Sequence, residues 1–167
     1  MKARNDVRPY SATKRAQIVR TVRGHPELGP LLKGRARVVL AEPHLASTVA
    51  AEALVAVYDY DNDRTLVAHM NSRGRITSVE EAPAAFQLSD EEEDEAEALA
   101  RADKRVRSFL GRRPMNPLTR LYFHPGGSRH RHAIVFLRPD TSERSYAVID
   151  LSDRRVVEVL SLTDFTG

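Results

Sequence analysis

Apolar residues fall along this chain in two rhythms, one helical and one alternating, and the order of the rhythms repeats. Ile18 and Val22, with Ala12, Ala16 and Val19, lie at helical spacing and predict a helix over Ser11 to Arg23. Ser11 can cap its start through the hydroxyl, and Gly24 can end it in a left-handed conformation. His25-Pro26 to Gly34 reads as a loop with one helical turn at Glu27–Leu32. Four strand-like runs follow: Ala36 to Glu42, stopped by Pro43, then Glu52 to Tyr60, Arg64 to Met70 and Arg75 to Glu80. Asp61-Asn62-Asp63 and Asn71-Ser72-Arg73-Gly74 are turn formers, because Asn, Asp and Gly tolerate positive φ. Short strands joined by tight turns predict an antiparallel meander.

The second round begins after Pro83. Leu99, Ala102, Val106, Phe109 and Leu110 give an apolar face to a long helix over Asp90 to Leu110, ended by Gly111. Ser89 with Glu92 three residues on is a capping box. Leu118 to His124, Arg131 to Arg138, Arg144 to Asp150 and Arg155 to Leu160 predict four more strands. Pro125-Gly126-Gly127, Pro139-Asp140-Thr141-Ser142 and Ser152-Asp153 are the turns between them.

The two rounds align. Ala53-Leu-Val-Ala-Val57 lies over Ala133-Ile-Val-Phe-Leu137, 80 positions on. At the same offset Arg64 meets Arg144, Val67 meets Ala147, Ile76 meets Val156 and Val79 meets Val159. Arg37-Val-Val-Leu40 lies over Arg120-Leu-Tyr-Phe123 after a slip of three. A repeated helix-then-meander predicts an α+β chain of two tandem units, each a helix packed on a four-stranded antiparallel sheet. The expected boundaries are a tail at 1–10, a first unit at 11–82, a linker at 83–88, a second unit at 89–162 and a tail at 163–167.

Composition narrows the chemistry. With no cysteine among 167 residues, disulfides and thiolate sites are excluded. With no Trp and five each of Phe and Tyr, the core must be mostly aliphatic. Met1 to Arg20 lacks the apolar stretch of a signal peptide, and no run nears the roughly 18 apolar residues of a membrane span, so a cytoplasmic chain with no membrane partner is expected. Charge is uneven. Residues 1–40 hold ten Lys or Arg against Asp6 and Glu27, while residues 90–97 hold seven acids. The basic residues are spread over a tail, a helix and a loop without an aromatic platform, which argues against nucleic-acid binding. The acids sit where the helix dipole favours them, and they read as a solvated helix start.

Val38-Val39-Leu40-Ala41-Glu42-Pro43, Ala53-Leu54-Val55-Ala56-Val57-Tyr58-Asp59, the Pro83 linker and Leu88-Ser89-Asp90-Glu91-Glu92 together resemble the tandem amino-terminal domains of copper amine oxidases. The resemblance covers residues 11–162. It implies a cystatin-like layout in each unit, the layout also shared by peptidase-propeptide-type domains, and a role in binding or assembly without chemistry. The 167 residues are too few to hold the catalytic domain of that family, so none of its chemistry is expected in them. Its quinone motif, Asn-Tyr-Asp/Glu, finds only Asp59-Tyr60-Asp61, and its copper-binding His-x-His finds only His130-Arg131-His132 in the second unit. No catalytic residue and no cofactor therefore carry over.

Three constellations merit a structural answer. His124, His130 and His132 have the donor types of a Zn²⁺ or Cu²⁺ site, although the surroundings are cationic and no carboxylate to orient the imidazoles is evident. Gly126, Gly127, Arg129 and Arg131 could bind an anion. Tyr58, Asp59, Tyr60 and His69 could perform acid–base work in a pocket between helix and sheet. The first functional expectation is a non-catalytic module that binds a protein partner, a second copy of itself or a small ligand. The alternative is a small cytoplasmic cyclase or isomerase using that pocket.

Overall fold

The computed structural model describes residues 10–44, 52–83, 85–139 and 145–161. The expected terminal tails, through residue 9 and over 163–167, lie outside them. So do Arg144 and most of the turn expected at 139–142. The chain divides into two units, Met1–Phe86 and Gln87–Gly167. Each contains one antiparallel four-stranded sheet, so the chain is α+β.

In the first unit α1 spans Ala12–Arg23 and α2 Leu28–Leu31. Ser11 Oγ accepts the Lys14 amide at 3.3 Å, which makes it the N-cap. Gly24 instead stays right-handed at φ −84°, so α1 runs on into a tight turn and not a left-handed stop. Only Ile18 and Val22 of the expected face are buried, whereas Ala12 and Ala16 are exposed. The helix thus touches the core along one edge, at i and i+4. A Cβ on Gly29 would collide with the Arg23 carbonyl oxygen, so only glycine lets α2 fold back onto the end of α1.

The sheet of this unit runs β1 (Ala36–His44), β2 (Glu52–Asp59), β3 (Arg64–Met70) and β4 (Ile76–Ala82) in that order. Pro43 does not stop β1. It is paired with Ala53 inside the strand, which is tolerated because β1 lies at an edge of the sheet. Val55 and Val57 of β2 with Leu66, Ala68 and Met70 of β3 share one core cluster with Ile18, Val22 and Leu28 of the helices.

In the second unit the expected long helix is two helices. Asp103, extended at ψ 132°, separates α3 (Asp90–Ala102) from α4 (Lys104–Leu110). Its carboxylate accepts the Arg105 amide at 2.7 Å, so the side chain competes with the helical backbone and caps a new start. The buried stripe of α3 is Glu92, Ala96 and Ala100, rotated from the expected face, since Leu99 is only half-buried and Ala102 is exposed. The sheet runs β5 (Leu118–Tyr122), β6 (His132–Phe136), β7 (Ser145–Asp150) and β8 (Arg155–Ser161).

Strand order matches between the units, but the register aligns only with β3 and β7 offset by 79 rather than 80, so Ala147 corresponds to Ala68 and not to Val67 as read off the sequence. Val55 pairs with Ala41 and Ala68, and Val135 pairs with Thr119 and Ala147. The register is broken beside Thr77 in the first unit and beside Val157 in the second, two positions 80 apart. By the same pairings Ala41 corresponds to Thr119, so the slip of the first strand goes the other way from that read off the sequence.

Two predictions follow from this packing. Val106 is wholly buried in α4, and Val106→Asp should cost several kcal/mol and unfold the second unit. A melting temperature lowered by only about a degree or two would refute its place in the core. The Arg105 side-chain hydrogen bond is the main reason the Asp103 carboxyl lies below its ordinary range, against an opposing effect of burial. A carboxyl lowered by folding contributes stability above its unfolded value, and that contribution is lost as pH falls through the folded value. In Arg105→Ala, carbon-detected NMR should show Asp103 titrating higher than in the parent and the α4 cap weakening earlier on acidification.

Candidate functional site

The chemistry-bearing residues of the second unit collect where β5, β6, β7 and the β7–β8 turn meet. Alternation at the start of β6 sorts them onto two faces. Arg131 points under α3. Its Nε donates to Glu92 Oε1 at 2.6 Å and its Nη2 to Glu92 Oε2 at 2.9 Å. Nη2 also donates to the Gln87 carbonyl at 2.8 Å. Both side chains are almost fully buried, at 4% and 0% exposure. Glu92 Oε2 accepts the Ser89 amide as well, so the carboxylate that closes the capping box is the one that holds Arg131.

The opposite face carries a row across the sheet. Tyr122 pairs with His132, His132 with Asp150, and Asp150 with Arg155. His132 and Asp150 are buried there. His130, in the bend before β6, donates from Nδ1 to Asp150 Oδ2 at 2.8 Å and has Asp153 Oδ2 at 3.9 Å. His132 donates from Nδ1 to the His130 carbonyl at 2.9 Å, which leaves its Nε2 toward Asp150 Oδ2 at 3.8 Å. His124 packs against His132 with ring centres 5.2 Å apart.

Burial lowers the His132 pKa and outweighs the opposing hydrogen bond to His130 and the charge of Asp150. Burial alone would raise Asp150. The hydrogen bonds from His130 and from the Asp153 amide, with the charges of His130 and His132, reverse this and hold the carboxyl below its usual range.

The three imidazoles therefore do neighbour one another, but the tightest ligand-type group among the described residues is His130, Asp150 and Asp153. Asp150 is the carboxylate that the sequence did not reveal. It stands twenty residues from His130, and only the β6–β7 register brings the two together.

The anion constellation is taken apart. Arg131 is committed to Glu92 on the helix face. The Gly126 amide donates to His124 Nδ1 and the Gly127 amide to the His124 carbonyl, both at 3.1 Å, so both are spent inside the turn. Arg129 lies in the loop between His124 and β6 and is exposed.

Of the Tyr58, Asp59, Tyr60 and His69 set, the first three gather at the β2–β3 turn and His69 lies apart from them. Asp59, 1% exposed, accepts from the Asp61 amide, Asn62 Nδ2 at 2.8 Å and Arg64 Nε at 3.1 Å, and so organises the β2–β3 turn. Tyr58 donates its hydroxyl to Asp63 at 3.2 Å. Tyr60 packs edge-on against Tyr58, with the guanidinium groups of Arg35 and Arg37 within 5.6 and 5.8 Å of its ring centre. His69 pairs with Leu54, five residues along β3 from the Arg64–Asp59 pair, or roughly 17 Å at strand rise.

The acid run also departs from a solvated helix start. Glu92 holds Arg131, Glu95 meets Arg154 at 2.7 Å, and Glu97 accepts from Thr119 Oγ1 at 3.0 Å. Asp90, Glu91 and Asp94 are the exposed ones.

Fold and site together define an α+β protein with two four-stranded antiparallel sheets and a buried Arg131–Glu92 ion pair in its second unit. No protein-family model matches the chain, and no curated protein matches it. Among the described residues, no helix is long and apolar enough to cross a membrane.

Removing one partner of a buried pair leaves the other charged and unpaired. Arg131→Met should cost about 3–5 kcal/mol in urea unfolding. The double variant Arg131→Met with Glu92→Gln should lose less than the sum of the two single changes. Strict additivity would mean that the two groups are not energetically coupled.

Proposed function

We propose that the chain is a non-catalytic binding or assembly module, made of two tandem cystatin-like units of the kind that precede the catalytic domain of copper amine oxidases. Its occupant would be a protein partner or a second copy of the chain, and the expected setting is the cytoplasm. In each unit the helix would serve as a lid fixed on the sheet rather than as the roof of a reaction chamber.

One observation carries this reading: the only acid–base set suggested by the sequence is consumed in building a turn. Asp59 is saturated by Asp61, Asn62 and Arg64, Tyr58 is bonded to Asp63, and His69 is far along the next strand. General acid–base catalysis needs groups converging on one proton within hydrogen-bond reach. The same arrangement weighs against the cyclase or isomerase alternative. It also weighs against a quinone at Tyr60, since that ring is buried with the guanidinium groups of Arg35 and Arg37 over it.

The test is aerobic incubation with copper followed by an aryl hydrazine. No coloured adduct is expected, and a covalent hydrazone mapping to Tyr60 would overturn the non-catalytic reading. Sedimentation velocity over a wide concentration range then distinguishes self-assembly from a different partner. Tyr58→Phe should lower stability by about 1 kcal/mol, the typical worth of one hydrogen bond, through loosening of the β2–β3 turn.

A further inference from the structure

We propose that His130, Asp150 and Asp153 form a binding site for a first-row divalent transition-metal cation, independent of the binding-module reading above. The three ligand atoms lie within 4.8 Å of one another. His130 Nδ1 stands 2.8 Å from Asp150 Oδ2 and 3.9 Å from Asp153 Oδ2. Ligands bound at about 2.0–2.2 Å around one ion are separated by roughly 3.0–4.2 Å. The two separations from His130 Nδ1 therefore lie inside that range or a few tenths of an ångström short of it. The cation takes the place of the proton between His130 Nδ1 and Asp150 Oδ2, which leaves to solvent.

The donor set selects the ion. One imidazole nitrogen and two carboxylate oxygens form a borderline set, suited to Zn²⁺, Mn²⁺, Fe²⁺ or Co²⁺ rather than to Cu⁺, which prefers sulfur, or Ca²⁺, which prefers oxygen alone. Two carboxylates offset the charge of a dication. Asp150 is preorganised, since its Oδ1 accepts the Asp153 amide at 2.9 Å and its side chain is 3% exposed. His130 and Asp153, at 34% and 46% exposure, leave the outer side open for water to complete the coordination.

The flanking arginines do not oppose this as their number suggests. Arg131 is turned to Glu92 under α3, and Arg154 is engaged by Glu95. Arg155 is the competitor, with Nε 3.3 Å from Asp153 Oδ2. Its removal frees a ligand oxygen.

Isothermal titration of the full chain with Zn²⁺ tests the proposal, with circular dichroism confirming the fold of each variant. One saturable equivalent is expected. His130→Gln and Asp153→Asn should each weaken binding by about tenfold or more, the scale seen when metal-site groups are lost. Arg155→Gln should tighten it. His124→Gln should leave it unchanged, because that ring is outside the set. Should Asp150→Asn fail to fold, the His130 and Asp153 variants decide the matter. Absence of saturable binding, insensitivity to His130→Gln and Asp153→Asn, weaker binding in Arg155→Gln, or equal loss in His124→Gln would each overturn the assignment.

Discussion

The second unit depends on the bidentate pair between Glu92 and Arg131. Two charges taken out of water are costly unless every lone pair and proton finds a partner. Here nearly everything does. Glu92 receives both guanidinium bonds and the Ser89 amide, while Arg131 also reaches the Gln87 carbonyl. Its backbone amide donates to Ser152 Oγ, and its carbonyl accepts from Leu151. One residue thereby ties the start of α3, the start of β6 and the β7–β8 turn together. The pair also fixes which side of β6 faces α3. With Arg131 drawn under the helix, the alternation of the chain delivers His130 and His132 to the opposite face, beside Asp150.

Much of the element order was legible because it rests on local signals. The Ser11 cap, the Ser89–Glu92 box and the turn at Asp61–Asp63 are all written in adjacent residues and all form. Where local signals competed, the reading failed. Asp103 looked like one more polar residue on a long helix, yet its short carboxylate makes a better cap than a helix interior. The face of α3 was misjudged for a related reason. A buried glutamate cannot be recognised from periodicity when its partner lies 39 residues away. The candidate sites fared worse than the elements, since each depended on strand register. His130 meets Asp150 through the β6–β7 ladder, and His69 is separated from Asp59 through the β2–β3 ladder.

The likeness between the two units lies in their ladders more than in their side chains. Strand order agrees, and the irregularity in the last strand falls at equivalent residues. Their tight turns do not follow the same scheme. A four-residue loop opened by a buried aspartate, with positive φ at its fourth residue, joins β2 to β3 in one unit and β7 to β8 in the other. Asp59 and Asp150 are thus the same local device placed on different hairpins. In the first unit the carboxylate is satisfied by its own turn and by Arg64. In the second it has an imidazole for a partner, and there a structural aspartate acquires the chemistry of a ligand.

That difference traces to how charge is distributed over the second unit. The acid run of α3 does not simply decorate a helix start. Glu92 takes Arg131 and Glu95 takes Arg154, while Arg120 acts on Glu93 to oppose the rise in its pKa that burial causes. The helix thus engages Arg131 and Arg154 on its own side of the sheet. The carboxylates beyond the reach of those arginines are left with imidazoles and with Arg155, whose guanidinium is exposed. The segment Ser128 to Arg131, cationic in sequence, is therefore electrostatically divided in space. The helix face is a closed salt-bridged layer that gives order. The opposite face holds the buried carboxylate of Asp150 among groups that can exchange a proton, and it is the face where a cation has a reason to bind.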